Sequence, residues 1–145
     1  LYMFMGEYNH TVDTKGRLII PSKFRETLGD KFVITKGLDG CLFAYDNAGW
    51  SVFEEKLSAM PISRKDTRMF VRHFLAGAAE VETDKQGRVL VPAKLREYAG
   101  LSKDVVLVGA AGHIEIWSLE KWTALEEEAE ESMEDIAERM DDLGL

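Results

Sequence analysis

A phrase of fourteen residues is written twice in this chain. Asp13-Thr-Lys-Gly-Arg17-Leu-Ile-Ile-Pro21-Ser-Lys23-Phe-Arg25-Glu26 returns 71 residues later as Asp84-Lys-Gln-Gly-Arg88-Val-Leu-Val-Pro92-Ala-Lys94-Leu-Arg96-Glu97. Asp, Gly, Arg, Pro, Lys, Arg and Glu keep their places, and the apolar positions exchange only among apolar residues. Two copies of one supersecondary unit predict a pseudo-symmetric fold, with whatever surface the unit carries displayed twice.

Each copy reads the same way. Tyr8-Asn-His-Thr-Val12 suits a strand, Asp13-Thr-Lys-Gly16 supplies turn chemistry and Arg17-Leu-Ile-Ile20 is β-rich, so a hairpin is expected. Pro21 opens a short helix closed by Gly29, as Pro92 does before Gly100. A second hairpin follows, Phe32–Thr35 and Cys41–Tyr45 around Leu38-Asp-Gly40, mirrored by Val105–Val108 and His113–Trp117 around Ala110-Ala-Gly112. One inserted residue after Gly100 moves the offset to 72, matching Gly37 to Gly109, Gly40 to Gly112 and Trp50 to Trp122.

Both copies end in an amphipathic helix. Trp50, Phe53, Leu57 and Met60 form one apolar stripe; Trp122, Leu125, Ala129, Met133, Ile136, Met140 and Leu143 form a longer one. Each stripe must be covered by its own chain or by a neighbouring subunit. Between the copies Pro61-Ile-Ser63 leads into a helix to Gly77, with Ser63 and Asp66 spaced as a capping box. Arg64, Arg68 and Arg72 make a basic stripe there, readable as a solvated face, as partners for acidic groups or as a docking surface.

Net charge of −8 argues against a nucleic-acid partner until its distribution is considered. Residues 120–145 hold eleven carboxylates against Lys121 and Arg139, so that segment carries −9 and residues 1–119 carry +1. An acidic helix sets the balance, and the near-neutral body leaves anion binding open. A hydrophobic content of 46% with three prolines fits a folded domain rather than disorder. No run of about 18 apolar residues is present to span a membrane, and Leu1-Tyr-Met-Phe-Met5-Gly is short and uncharged for a signal peptide. Cys41 stands alone, which excludes an intrachain disulfide and fits a reducing cytoplasm.

Catalysis finds little support. His10, His73 and His113 lie on different elements without metal-ligand spacing, and neither a nucleophile elbow nor a phosphate-cradling glycine motif occurs. Ser63 and Ser118 read as helix caps, and Cys41 as a buried strand residue. Asp13 and Asp84 sit in basic turns, which favours ionised, paired carboxylates over general acids. No cofactor, metal or small-molecule substrate is expected.

The Asp-x-x-x-Arg turns are the functional candidates. Lys15, Gly16 and Arg17 offer a phosphate-neutralising cation, a backbone that permits close approach and a guanidinium able to bind guanine bidentately. A β-ribbon is thin enough for the major groove. Gln86, Gly87 and Arg88 repeat the turn with Gln in place of Lys, so the first copy is the first choice for contact. The alternative is purely structural, with Asp capping the turn and Arg bonding back to it.

These phrases, with Met3-Phe-Met-Gly-Glu-Tyr-Asn-His10, Gly-Leu-Asp-Gly-Cys-Leu-Phe at 37–43 and Glu115-Ile-Trp117, resemble the MraZ family over nearly the whole chain. The resemblance implies a mainly β fold with flanking helices (α+β), a pseudo-two-fold swapped-hairpin, double-split β-barrel of the AbrB/MazE/MraZ type. Residues 7–49 would form the first AbrB-like repeat with its helix to about 60, 61–77 the basic connecting helix, 78–121 the second repeat and 118–145 the acidic helix. It implies a cytoplasmic, nucleoid-associated transcriptional regulator, commonly a repressor. Such a protein would form a homo-oligomeric ring and bind double-stranded DNA at tandem promoter repeats of its own division and cell-wall operon.

Carried over, the DNA-reading turns fall on Lys15, Gly16, Arg17 and on Gln86, Gly87, Arg88, supported by Asp13 and Asp84. Lys23, Arg25, Lys94 and Arg96 are first salt-bridge or barrel-edge residues and second phosphate contacts. Leu1-Tyr2 precede the start expected at Met3 and read as an added remnant. The rival reading is an oligomeric protein-interaction scaffold using the acidic helix or the Arg64/Arg68/Arg72 stripe.

Overall fold

Proline and glycine punctuate the duplicated unit as expected. Pro21 and Pro92, both near φ −53°, sit at the N-caps of α1 (Ser22–Leu28) and α4 (Ala93–Ala99). Gly29 and Gly100 close these helices with N–H bonds back into the last turn. A computed structural model describes residues 3–141 and Gly144; the readings for Leu1-Tyr2, Asp142 and Leu143 fall outside these. In it the first copy runs β1 (Glu7–Thr11), β2 (Arg17–Ile19), α1, β3 (Lys31–Lys36), β4 (Leu42–Tyr45) and α2 (Asn47–Ser58). After α3 (Lys65–Gly77) the order returns as β5 (Ala79–Glu82), β6 (Arg88–Leu90), α4, β7 (Asp104–Gly109), β8 (Ile114–Ser118) and α5 (Leu119–Glu138).

The strands exchange between copies. One antiparallel sheet has the order β1-β7-β8-β4-β3-β5, and β2 pairs with β6 in a separate ribbon. Replacing each strand by its counterpart reproduces the same order read backwards, which is a pseudo-two-fold arrangement. Its axis passes between β4 and β8, where Phe43 faces Glu115, and between β2 and β6, where Leu18 faces Val89. The expected first hairpin is therefore corrected. An isolated bridge from Val12, just past β1, to Leu18 is the one bridge between them before β1 goes to β7 and β2 to β6. Each copy leaves its apolar strand edges to be completed by the other.

Alternation along the strands sorts side chains between two cores. Phe32, Ile34, Leu42, Ala44, Leu107, Ile114 and Ile116 point into the larger one, closed by Leu18 and Val89 of the ribbon and by Phe24 and Leu95 of α1 and α4. Phe43, Tyr45 and Trp117 point to the opposite face, where Leu57 of α2 and Phe74 of α3 cover them. Each Leu, Ile, Val or Phe side chain so removed from water contributes roughly 1.5–3 kcal/mol.

Three further details depart from the sequence reading. Ile34 pairs with Ala44 and Leu107 with Ile116, so β3 corresponds to β7 at an offset of 73 and β4 to β8 at 72. Gly37 thus matches Ala110 rather than Gly109, and their amides make equivalent bonds to the Cys41 and His113 carbonyls. The capping box at Ser63 does not form: α3 has Arg64 at its N-cap without a side-chain cap, and Asp66 pairs with Arg64 at 2.9 Å. Helix α5 ends at Glu138, capped by Arg139, so Met140 lies past the last helical turn. Ser118 does cap α5, accepting the Lys121 amide, as Asp46 accepts the Gly49 amide for α2.

Candidate nucleic-acid interface

Asp13 organises its turn by accepting three N–H groups. Its Oδ1 takes the amides of Lys15 and Arg17, both at 2.9 Å, and its Oδ2 takes Arg17 Nε at 2.7 Å. Asp84 repeats the set with Gln86, Arg88 and Arg88 Nε, all at 2.9 Å. The Arg17 amide, outweighing a desolvation that acts the other way, holds the Asp13 carboxyl below its ordinary pKa; the guanidinium and the Lys15 amide add to this. Asp84 is lowered by the same groups of its own turn, the Arg88 amide first. Both acids are ionised at neutral pH and orient a guanidinium that remains partly exposed. The structural alternative for the Asp–Arg pair is thus realised, and it holds each arginine by Nε while the side chain stays partly exposed.

Gly16 and Gly87 have φ of +84° and +78°, in the left-handed region that excludes most side chains at low cost. Their carbonyls also tie the ribbon together, Gly16 accepting Val91 N–H and Gly87 accepting Ile20 N–H. A guanidinium from the opposite copy lies over each glycine. A Cβ on Gly16 would stand 2.6 Å from Arg96 Cζ, and one on Gly87 would meet Arg25 Nη1 and stand 2.8 Å from Arg25 Cζ. Each tip is therefore composite: one copy supplies the turn and the other adds an arginine from the short helix.

Between the tips, β2 and β6 turn Leu18 and Val89 inward, 0% and 1% exposed. Arg17, Ile19, Arg88 and Leu90 lie on the outer side, with Arg17 opposite Leu90 and Ile19 opposite Arg88. Ile19 and Leu90 are 42% and 59% exposed, so this face carries its two arginines on one diagonal and two apolar side chains on the other. The two arginines are offset by two residues along the ribbon, about 7 Å.

The structure brings together Lys15, Gly16 and Arg17 with Arg96, and Gln86, Gly87 and Arg88 with Arg25. Lys23 and Lys94 are not part of either tip. Lys23 lines a side depression with Met5 and Tyr8, and Lys94 one with Lys36 and Tyr98. One tip residue escaped the sequence reading. Lys85 occupies the place of Thr14 and is exposed, so the loss of Lys15 at Gln86 is offset one residue earlier. Each tip carries three cations against one carboxylate, with the lysine one residue earlier in the second turn. Counting charge over the whole turn, rather than residue by residue, reveals it.

Groups that could suggest catalysis are engaged elsewhere. Cys41 is fully buried, and burial foremost pushes its thiol up to about 12, the opposite of an activated nucleophile. His73 donates through Nε2 to the Gly37 carbonyl at 2.8 Å, and the His113 ring packs 4.2 Å from the Phe43 ring at a tilt of 47°. Among the described residues no three His, Cys, Asp or Glu side chains gather as a metal site.

Fold and site together define a class: an internally duplicated β scaffold whose two interlocked copies present paired basic turns on one ribbon. The family model described as "MraZ protein, putative antitoxin-like" matches twice, over residues 3–73 and 74–144. Proteins named transcriptional regulator MraZ are similar throughout. Those of Acetivibrio thermocellus and Halothermothrix orenii are 58% and 57% identical over 143 residues, covering 99% of this chain and all of each relative. That of Ligilactobacillus salivarius is 54% identical with the same coverage. The chain belongs to the MraZ family, a family of transcriptional regulators rather than enzymes.

Proposed function

We propose that this protein is a transcription regulator that binds double-stranded DNA through the outer face of the β2–β6 ribbon. The observation that carries this reading is the pair of composite tips, Lys15, Arg17 and Arg96 at one end and Lys85, Arg88 and Arg25 at the other. Six cations on one pseudo-symmetric face match two phosphate runs flanking a groove, and the narrow ribbon suits entry into it. Arg17 and Arg88, aimed by Asp13 and Asp84, are the base-reading groups; the lysines and the two helix arginines contact phosphates. Gly16 and Gly87 make room for the two helix arginines at the tips, and Gln86 hydrogen-bonds rather than neutralises.

The interlocked copies are two AbrB-like halves of one swapped-hairpin barrel, a description supported by the passage of β1 to β7 and of β5 to β3. A single face binds weakly. Copies joined in a homo-oligomeric ring raise effective concentration on regularly spaced sites, which selects tandem promoter repeats upstream of the protein's own division and cell-wall operon. Occupancy there represses that operon, and the protein works in the cytoplasm at the nucleoid.

Gel-shift titration of Arg17→Ala on that upstream promoter tests the assignment. Loss of about 1–3 kcal/mol per engaged site is expected, with a reduced salt slope for Lys15→Ala. Unchanged affinity for Arg17→Ala removes that residue from the interface, and equal affinity for promoter and random fragments removes sequence-specific binding.

A further inference from the structure

Helix α5 continues where its counterpart stops. In the first copy Trp50, Phe53 and Leu57 of α2 are closed over by α3: Phe53 and Phe74 stand 5.0 Å apart edge to face, and Leu57 is 2% exposed. At an offset of 72, Trp122 and Leu125 of α5 pack on the same cluster. Among the described residues no helix equivalent to α3 comes after α5, which runs on to Glu138. The stripe beyond Leu125 is left open, with Met133 50% exposed and a groove of about 230 Å³ running from Trp122 past Ala129 to Met133. Trp122 Nε1 is buried there without a hydrogen-bond partner. Glu126 and Glu130 form the groove's rim.

A surface of the opposite character lies on α3. Lys65, Met69, Arg72 and Ala76 recur at helical spacing on its outward side, all exposed, Met69 at 59%. This ridge alternates cations with apolar groups, as the α5 groove alternates carboxylates with apolar groups. Among the described residues no ion pair joins α3 to α5 within the chain. Pairing of α5 with another α5 would set glutamate against glutamate, so the complement of α5 is the α3 ridge.

We propose that α5 of one copy docks on the Lys65–Ala76 ridge of α3 in a second copy. This rests on the reading of the protein as a homo-oligomer and names the surfaces that build it. Because the two faces differ and lie on one chain, the contact is head to tail and repeats from copy to copy, the condition for a ring or an open filament. It uses neither basic tip, so assembly leaves the ribbon face of every copy free.

Two measurements on the full chain test this. Sedimentation should show Lys65→Glu with Arg72→Glu raising the half-assembly concentration by at least about tenfold, and Glu126→Lys with Glu130→Lys doing the same. The chain carrying all four changes should regain the wild-type mass. For the second, mild oxidation of a mixture of Met69→Cys and Met133→Cys proteins should yield a mixed cross-linked dimer that neither yields alone; buried Cys41 adds no background. Self-cross-linking of Met133→Cys overturns the proposal in favour of α5–α5 pairing. An oligomer whose mass ignores both charge reversals and which gives no mixed dimer overturns the α3–α5 contact alone. A wild-type chain that sediments as a monomer overturns the homo-oligomer reading with it.

Discussion

Around Asp13 a carboxylate takes two amides and a guanidinium, and around Asp84 it takes the same three from equivalent positions. The surroundings differ. At the first tip Arg96, lying over Gly16, is held by its Nε bond to the Val91 carbonyl at 3.0 Å. At the second tip Arg25, lying over Gly87, has its Nε buried without a partner. Lysine stands third in the first turn and second in the other. Duplication therefore preserved what sets the turn and let drift what the turn displays and how firmly its helix arginine is fixed.

The largest way to break the comparison is at its axis. Leu18 is fully buried opposite Val89 and closes both copies at once, so Leu18→Ala should cost about 2–5 kcal/mol of unfolding free energy by urea titration. Loss restricted to one half would show that the copies fold independently. Next come the glycines. Gly16→Ala should cost about 1–2 kcal/mol or more, since the left-handed backbone is joined by a clash with a tethered Arg96. Gly87→Ala should cost less, because Arg25 has no bond to give up at Nε. Equal costs in paired melts would remove the tether as the difference.

The two acids should behave alike. Their folded pKa values lie below the ordinary carboxylate value, so their contribution is full above that value, near pH 4, and is lost as pH falls through the folded values. The melting-temperature gap between wild type and Asp13→Asn/Asp84→Asn should be constant from pH 7 to about 5 and close on further acidification. A gap that persists at pH 2 would mean the amide fails for a reason other than charge. The smallest effect is expected from Thr14→Lys with Lys15→Gln, which rewrites the first tip as the second. Total charge is kept, so the salt slope of DNA binding should hold while affinity shifts by less than the roughly 1 kcal/mol of a lost phosphate contact. A changed slope would show that lysine position decides which phosphates are met.

Much of this was legible in the chain because it is local chemistry. Asp13 two and four residues before the amides it accepts, Gly16 at a positive φ and Pro21 ahead of a short helix each act through neighbours. The hairpin expected over residues 8–20 failed because period-two patterning tells which face is apolar and not which strand lies alongside. The same blindness hid the composite tips. Arg25 and Arg96 are eight residues past the arginines of their own turns, and their contact with the opposite glycine exists only once β2 has paired with β6.

The sequence by itself determined that there are two units, that each carries an Asp-braced basic turn and that an acidic helix ends the chain; spacing and side-chain chemistry suffice for these. Tertiary structure decided that the units interlock, that each tip borrows an arginine from the other and that α5 outruns its cover. Those outcomes depend on which apolar surfaces meet, and burial between distant segments leaves no local signature.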